Sequence, residues 1–151
     1  MISKLLVSTL TMFSLQSSTT HAVDGDVSLS VVCENIPSDQ QTVVPVNQRL
    51  LANGPPAMCL DKTTTLSGLS IQKASVTHEG LKTGAWVVVT FAAPNEHALQ
   101  LFQKAHLFHT VALIVRGKVV FRGLLTESRT DASLRIAAET DEEAAAIRDS
   151  L

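Results

Sequence analysis

The chain has 151 residues and carries 12 Lys and Arg against 14 Asp and Glu, a net charge of −2 at pH 7. This balance does not favour a nucleic-acid partner, because binding to phosphate is driven by clustered positive charge. The length suits one domain with a modest core.

Residues 1–22 have the layout of a secretory signal peptide. A short positive lead ends at Lys4, an apolar run follows from Leu5 to Leu15, and small residues precede the expected cut after Ala22. A membrane anchor is the alternative, but it needs about 20 apolar residues. No later segment is long and apolar enough to cross a membrane. We therefore expect a periplasmic or secreted protein that is not inserted in a membrane after cleavage.

Two cysteines, Cys33 and Cys59, follow the predicted leader. In an exported chain an even number of cysteines predicts a disulfide, and a bridge over this separation is worth about 3.5 kcal/mol in the chain-entropy model. Two buried free thiols are the alternative. The spacing is not C-x-x-C, so thiol exchange is not expected. The bridge would hold a Pro-rich excursion over residues 34–58.

The strands expected before residue 80 are short. Pro45 confines its segment to a sheet edge, because proline cannot donate to the ladder. Residues 65–69 are expected to form a turn or one helical turn capped by Ser67. The strands predicted from apolar alternation are Val27–Val32, Val43–Val46, Cys59–Lys62 and Ile71–Glu79.

The strongest strand of the chain is Ala85–Phe91, whose two faces are both largely apolar and which is therefore expected to lie centrally. Pro94 then opens a helix from Asn95 to His106. Gln103 is placed on its water-facing side. The apolar stripe of this helix is predicted to comprise Ala98, Leu101, Phe102 and Ala105.

The C-terminal third is predicted to form a hairpin, a strand and a helix. The hairpin strand Thr110–Arg116 is followed by a two-residue turn at Gly117 and Lys118. The last strand is Ser133–Ala138. Thr140 and Glu143 then have the spacing of a capping box, which begins the final helix.

These elements predict an α+β fold, with an antiparallel-rich sheet of four to six strands and two main helices on one face. After the signal peptide, we expect an N-terminal extension over residues 23–70, held by the disulfide. The main domain is expected over residues 71–151.

Residues 71–151 resemble the head of the first large periplasmic domain of the SecD/SecDF protein-export membrane subunits. The stretches that carry the resemblance are WVVVTF (86–91), the helix at 95–106, VALIVRGKVV (111–120) and SLRIAAETDEEAAAIRDSL (133–151). The family hairpin typically reads L-D-G-K-V-I, and its end carries Thr or Asp before E-E-A. The resemblance implies contact with exported polypeptide or with a neighbouring protein.

The chain departs from that family pattern in three places. Arg116 stands where the family usually has Asp, which predicts that the turn re-frames around Gly117 and Lys118. Phe121-Arg122-Gly123 replaces a run of small residues and proline. The membrane helices that serve proton coupling in the family have no counterpart, so only the role of the isolated head could carry over.

Signals for catalysis and for metal binding are weak. His97, His106 and His109 lie close in sequence, but a zinc or copper site needs further ligands, and surface histidines are the simpler interpretation. The carboxylates Glu127, Asp131 and Glu139 are interpreted as solvated loop residues, although they could form a pair. The chain has no G-x-S-x-G, H-E-x-x-H or phosphate-loop motif. We therefore expect no enzyme activity, cofactor or metal.

A basic hairpin is the candidate partner-binding site. It comprises Arg116, Gly117, Lys118 and Arg122, with Arg129 and Arg135 nearby. The alternative is a charged sheet edge that prevents aggregation. Trp86 and Val88 form a second candidate surface, unless helices or the N-terminal part cover them.

The sequence favours a non-catalytic, exported module that binds polypeptide or a partner protein through a sheet edge or an exposed face. The alternative is a secreted inhibitor or immunity-type protein that blocks one enzyme by loop insertion, which small size, export and the Pro-rich excursion favour. An enzyme that uses His106 or His109 ranks last.

Overall fold

The computed structural model describes residues 26–151, so the predicted signal peptide at 1–22 lies outside the described residues. Short 3-10 turns at Ser38–Gln40 and Ala93–Asn95 precede β2 and α1. The strands and helices in chain order are β1 Val27–Val32, β2 Gln41–Pro45, β3 Ala57–Leu69, β4 Ile71–Thr77, β5 Ala85–Phe91, α1 Glu96–Ala105, β6 Thr110–Val115, β7 Lys118–Leu124, β8 Ser133–Ala138 and α2 Asp141–Ser150.

The strands form two sheets, where the sequence predicted one. The large sheet has five strands in the order β2-β3-β1-β6-β7, and the small sheet has three in the order β4-β5-β8. All pairs of named strands are antiparallel. The α+β class is confirmed. The chain changes sheet between β3 and β4, again between β5 and β6, and a third time between β7 and β8, so sequence neighbours are split between the sheets.

The central position of β5 is confirmed, since β4 and β8 flank it on either side. Its residues Val87 and Val89 are completely buried. Trp86 and Val88 point to the opposite face, where they are half-buried and lie outside both apolar clusters. The small sheet therefore keeps one partly open face.

One main core joins the two sheets and both helices. Apolar side chains of β1 and β6 meet those of β5 and β8 in a single cluster, to which α1 contributes Leu99 and Phe102 and α2 contributes Ala144 and Ile147. Burial of this apolar surface is the main source of stability.

The large sheet curls back towards closure. Val46, just after β2, forms a parallel bridge with Val119 of β7, and the Asn47 N–H donates to the Val119 carbonyl at 2.8 Å. A second, smaller cluster, which includes Met58 and Ile114, lies on the inside of this curl. The β2 edge of the sheet is thereby held against the β7 edge.

The region expected as an N-terminal extension is built into the large sheet. β1 pairs with β6 over Val27–Val31, and Leu29 is completely buried. The predicted boundary at residue 70 falls between β3 and β4, but β3 shares its sheet with β6 and β7. Long-range pairing of this kind leaves no local signal in the sequence.

The predicted break between a short strand at 59–62 and a turn at 65–69 is wrong, because β3 runs unbroken through both segments. Its pairing with β1 contains two register shifts. The Thr64 hydroxyl accepts from the Val31 N–H at 3.0 Å and donates to the Asp61 carbonyl at 2.8 Å. Side-chain hydrogen bonds thus replace ladder hydrogen bonds at the irregularity. The strand was not predicted here because the polar run T-T-T shows no alternation of apolar and polar residues.

The hairpin turn is one residue earlier than predicted. Val115 pairs with Lys118, so Arg116 and Gly117 form the turn, with φ of 50° and 76°. Two positive φ values are those of a type I′ turn, whose twist suits an antiparallel hairpin. The Arg at this position therefore did not re-frame the turn.

The two helices were located correctly, but of the apolar stripe predicted for α1 only Phe102 is buried. Its buried residues are Leu99, Phe102 and Gln103, while Leu101 is 55% exposed. In α2 the capping box is present, since the Glu143 N–H donates to the Thr140 hydroxyl at 3.1 Å. The Glu143 carboxylate also accepts from the N–H of the residue before Thr140, at 2.7 Å.

The predicted disulfide is present. Cys33 and Cys59 are bonded, with their Cα atoms 5.5 Å apart, and they join the end of β1 to the start of β3. The Cys33 N–H also donates to the Cys59 carbonyl at 3.1 Å. In residues 26–151 no helix has the length and apolar character needed to cross a membrane.

Candidate functional site: a groove between two sheet edges

A groove of about 250 Å³ lies where the large and small sheets meet. Its walls are β7, the last strand of the large sheet, and β8, the last strand of the small sheet. The segment that follows β7 contributes Leu125 and Glu127 to the lining. We call this feature the β7/β8 groove.

The apolar part of the β7/β8 groove is partly open to solvent. Leu124 of β7 is 58% exposed, and Trp86 and Phe121 are half-buried. Ala137 of β8 is also exposed. Aromatic and aliphatic surface that remains open at a sheet edge is suited to contact another chain.

The backbone of β8 is open towards the groove. The Phe91 N–H donates to the Ala132 carbonyl at 2.7 Å, immediately before the register pair of Thr90 and Ser133. Bonded and non-bonded pairs alternate along an antiparallel ladder. Arg135 and Ala137 therefore direct their N–H and C=O groups away from β5, and these groups have no hydrogen-bond partner within residues 26–151.

The backbone of β7 is also open towards the groove. The Leu125 N–H donates to the His109 carbonyl at 3.0 Å, which sets the alternation along the β6/β7 ladder. Arg122 and Leu124 then direct their N–H and C=O groups outward, again without a partner among the described residues. Both strands thus leave backbone groups free beside the groove.

Charged side chains converge on one wall of the groove. Arg129 contacts Asp131 at 3.1 Å and Glu127 at 3.5 Å. The hydrogen bond with Asp131 is the main reason why the pKa of Arg129 is raised. In turn, hydrogen bonds first from Arg129 and then from Ser133 lower the pKa of the Asp131 carboxyl. Both groups are therefore held in their charged forms.

Arg135 is held more loosely than Arg129. Its nearest carboxylates, those of Glu127 and Glu79, lie at 3.7 and 3.8 Å, beyond hydrogen-bonding distance. Its guanidinium carbon lies 5.9 Å from the centre of the Trp86 ring, in the range of a cation–π contact. The Nε atom is buried and makes no hydrogen bond to any of residues 26–151.

The structure separates the residues of the predicted basic hairpin into two groups. Arg116, Gly117 and Lys118 lie exposed at the turn, outside the lining of the groove. Arg122, farther along β7, lines the groove. Within residues 26–151 Arg122 takes part in no ion pair. The fold thus brings Arg122 together with Arg129 and Arg135 at the groove, while the turn lies outside it.

Sequence reasoning missed Gln103, which was placed on the water-facing side of its helix. Gln103 is only 1% exposed. Its Nε2 donates to the Ser133 carbonyl at 3.0 Å, and its Oε1 accepts from the Arg129 N–H at 2.7 Å. One buried amide therefore joins α1 to both the start of β8 and the loop that carries the charged wall. A signal for its burial was present in the sequence. If the apolar stripe of α1 is drawn one residue later than predicted, through Leu99 and Phe102, Gln103 lies at its border.

The histidines form a separate and smaller feature. The rings of His106 and His109 are 6.3 Å apart and line a second pocket together with Asp61 and Glu34. Burial, and then the proximity of His109, lowers the pKa of His106. In the part of the chain from residue 26 onward, no three His, Cys, Asp or Glu side chains are placed to hold one metal ion.

Comparison with known proteins gives similarity to solved structures alone, since no protein-family model and no curated protein matches the chain. One similar structure is of a membrane component SecDF that enhances protein export, with a TM-score of 0.47 and 17% identity over 83% of this chain and 61% of that chain. Another is SecDF in a super-membrane-facing form, with a TM-score of 0.46 and 15% identity over 84% of this chain and 18% of that one. At such identity, neither structure assigns a role to a residue of this chain.

Proposed function

We propose that the protein is an exported, non-catalytic module that binds an extended polypeptide segment in the β7/β8 groove. The observation that carries the proposal is the pair of free strand edges on either side of one groove. A polypeptide that adds to a sheet edge gains main-chain hydrogen bonds, and neighbouring pockets select its side chains.

β8 is the better receiving strand. Val46 and Asn47 already occupy the outer edge of β7 at Val119. In β8 the outward groups of Arg135 and Ala137 have no such neighbour within the described residues. A peptide paired with β8 would have Phe121 and Leu124 of β7 beside it as an apolar wall.

The chemistry of the lining supports binding rather than catalysis. The lining contains no Ser, Cys, His or Lys, and its single hydroxyl belongs to Thr126. Covalent catalysis needs a nucleophile beside a base that activates it. The arginines and Glu127 are instead suited to orient a charged or polar ligand.

The Cys33–Cys59 bond supports export, because structural disulfides form and persist in oxidising compartments. The predicted signal peptide also favours export. The sequence resemblance to the SecD periplasmic head makes unfolded, exported polypeptide the first class of ligand to test, and protein transport the first process.

The test measures binding of the purified mature protein to a fluorescent unstructured peptide by anisotropy. Leu124→Asp places a charge on the apolar wall, and we expect it to weaken binding at least about tenfold. Val43→Asp is the matched control, because Val43 is a 69% exposed apolar residue on the edge strand β2, outside the groove. Equal binding by the two variants, or no binding by the unmodified protein, would overturn the proposal.

A further inference from the structure

We infer that the β7/β8 groove selects extended segments in which an acidic residue is followed or preceded, two positions away, by an apolar residue. This inference rests on the proposed function and specifies the class of polypeptide that the groove takes. It comes from the arrangement of charge and apolar surface along the two strands that border the groove.

Both strands carry the same short pattern at the groove. β7 has Arg122 and Leu124, two positions apart, and β8 has Arg135 and Ala137, also two positions apart. In each strand both of these residues direct their backbone N–H and C=O groups outward. Residues two apart lie on the same face of a strand. Each wall therefore presents an arginine followed by an apolar side chain.

A peptide strand that pairs with β8 would meet this pattern in register. Its side chains alternate between two faces, so the residues opposite Arg135 and Ala137 lie two positions apart on one face. A carboxylate opposite the arginine and an apolar side chain opposite Ala137 satisfy both neighbours. The apolar side chain would also contact Trp86, which pairs with Ala137 across the ladder.

Arg122 supplies the groove with a positive charge that is open to a ligand. It is exposed, and it forms no ion pair within residues 26–151. By contrast, Arg129 is engaged by Asp131 at 3.1 Å. A carboxylate bound in the groove would therefore be attracted mainly by Arg122 and Arg135.

Glu127 lies where a ligand carboxylate is expected. Its Oε1 is 3.5 Å from Arg129 Nη1 and 3.7 Å from Arg135 Nε, so it approaches both guanidinium groups without a close hydrogen bond to Arg135. The side chain is 45% exposed, which leaves it free to move. Glu127 thus acts as an internal competitor for an acidic ligand.

The experiment uses three capped nine-residue peptides of alternating Val and Ser, with Val at both ends, in which the central Val is replaced by Glu, Gln or Lys, so that a Val lies two positions away on either side. We expect the Glu peptide to bind about three- to tenfold more tightly than the Gln peptide at low salt, with Lys weakest. The difference should shrink at 0.5 M salt, because exposed charges are then screened.

Two variants and one control variant assign the effect to the groove. Arg122→Gln should remove at least about half of the preference for Glu over Gln, while Arg116→Gln, at the exposed turn outside the groove, should leave it unchanged. Glu127→Gln should tighten binding of the Glu peptide about twofold or more, because the competitor has lost its charge.

The outcomes separate the two proposals. Equal affinity for the Glu and Gln peptides, with binding that still depends on Leu124, overturns the acidic preference and leaves the binding function intact. A preference that Arg116→Gln abolishes as fully as Arg122→Gln also overturns it. If none of the three peptides binds, both the inference and the proposed function fail.

Discussion

The side-chain oxygen of Gln103 accepts a hydrogen bond from the backbone N–H of Arg129 at 2.7 Å, and this contact ties helix α1 to the charged wall of the groove. The amide nitrogen of the same side chain donates to the Ser133 carbonyl. A single buried residue thus sets the position of the loop and of the strand that border the groove.

Replacement of Gln103 by Ala should be costly. It leaves two backbone groups without a partner in a buried site, and we expect the free energy of unfolding to fall by about 2–4 kcal/mol. The measurement is urea denaturation. Gln100→Ala is the matched control, because Gln100 lies on the same helix and donates to the Thr130 carbonyl of the same loop, but less deeply buried. We expect it to cost less than about 1 kcal/mol, and equal losses would contradict the role assigned to Gln103.

Loss of the disulfide should destabilise the large sheet. The bridge spans a sequence separation of 26 residues, and the double variant Cys33→Ser with Cys59→Ser should be less stable by about 3.5 kcal/mol in the chain-entropy model. Denaturation curves of the variant and of the oxidised and reduced protein provide the comparison. A stability unchanged by reduction would show that β1 and β3 do not depend on the bond.

Two glycines with nearly the same backbone conformation should respond differently to alanine. Gly84 has φ of 75° and Gly117 has φ of 76°. A Cβ at Gly84 would lie 2.6 Å from the Ala138 carbonyl oxygen, while one at Gly117 would have no atom of the described residues within 4 Å. Gly117→Ala should lower the free energy of unfolding by about 1 kcal/mol, because of the backbone conformation alone. Gly84→Ala should lower it by at least about 1 kcal/mol more, because of the close contact. Thermal unfolding measures both, and similar losses would contradict the close approach at Gly84.

Stability should fall as the solution is acidified below neutral pH. Burial, and then His109, lowers the pKa of His106 from its ordinary value of 6.5, although Asp61 opposes the shift. The unfolded chain therefore binds a proton more readily than the folded one. The contribution of neutral His106 is present above pH 6.5 and is lost as the pH falls towards the folded-state pKa.

His106→Asn should flatten this part of the pH profile, as measured by urea denaturation between pH 7.5 and about pH 5. His97→Asn is the control, because His97 is exposed on α1, the helix that ends immediately before His106. A profile that His106→Asn leaves as steep as that of the unmodified protein would exclude His106 as the source.

Local patterns in the sequence were sufficient to predict most of the helices and strands. The alternation of Ala85–Phe91 predicted a central strand, and Thr140 with Glu143 predicted where α2 begins. These features depend on neighbours within a few residues, so the sequence contains the information directly. The two cysteines and their pairing were predicted from their number and from the expected compartment, and the disulfide confirms them.

The tertiary structure alone decided where the strands lie and which side chains meet. The division into two sheets, the pairing of β1 with β6, and the meeting of Arg122 with Arg135 across a groove depend on contacts between distant segments. Burial of Gln103 likewise depends on which face of α1 the main core covers. Periodicity gives the faces of an element, but not its partners, because burial is a property of the packed whole.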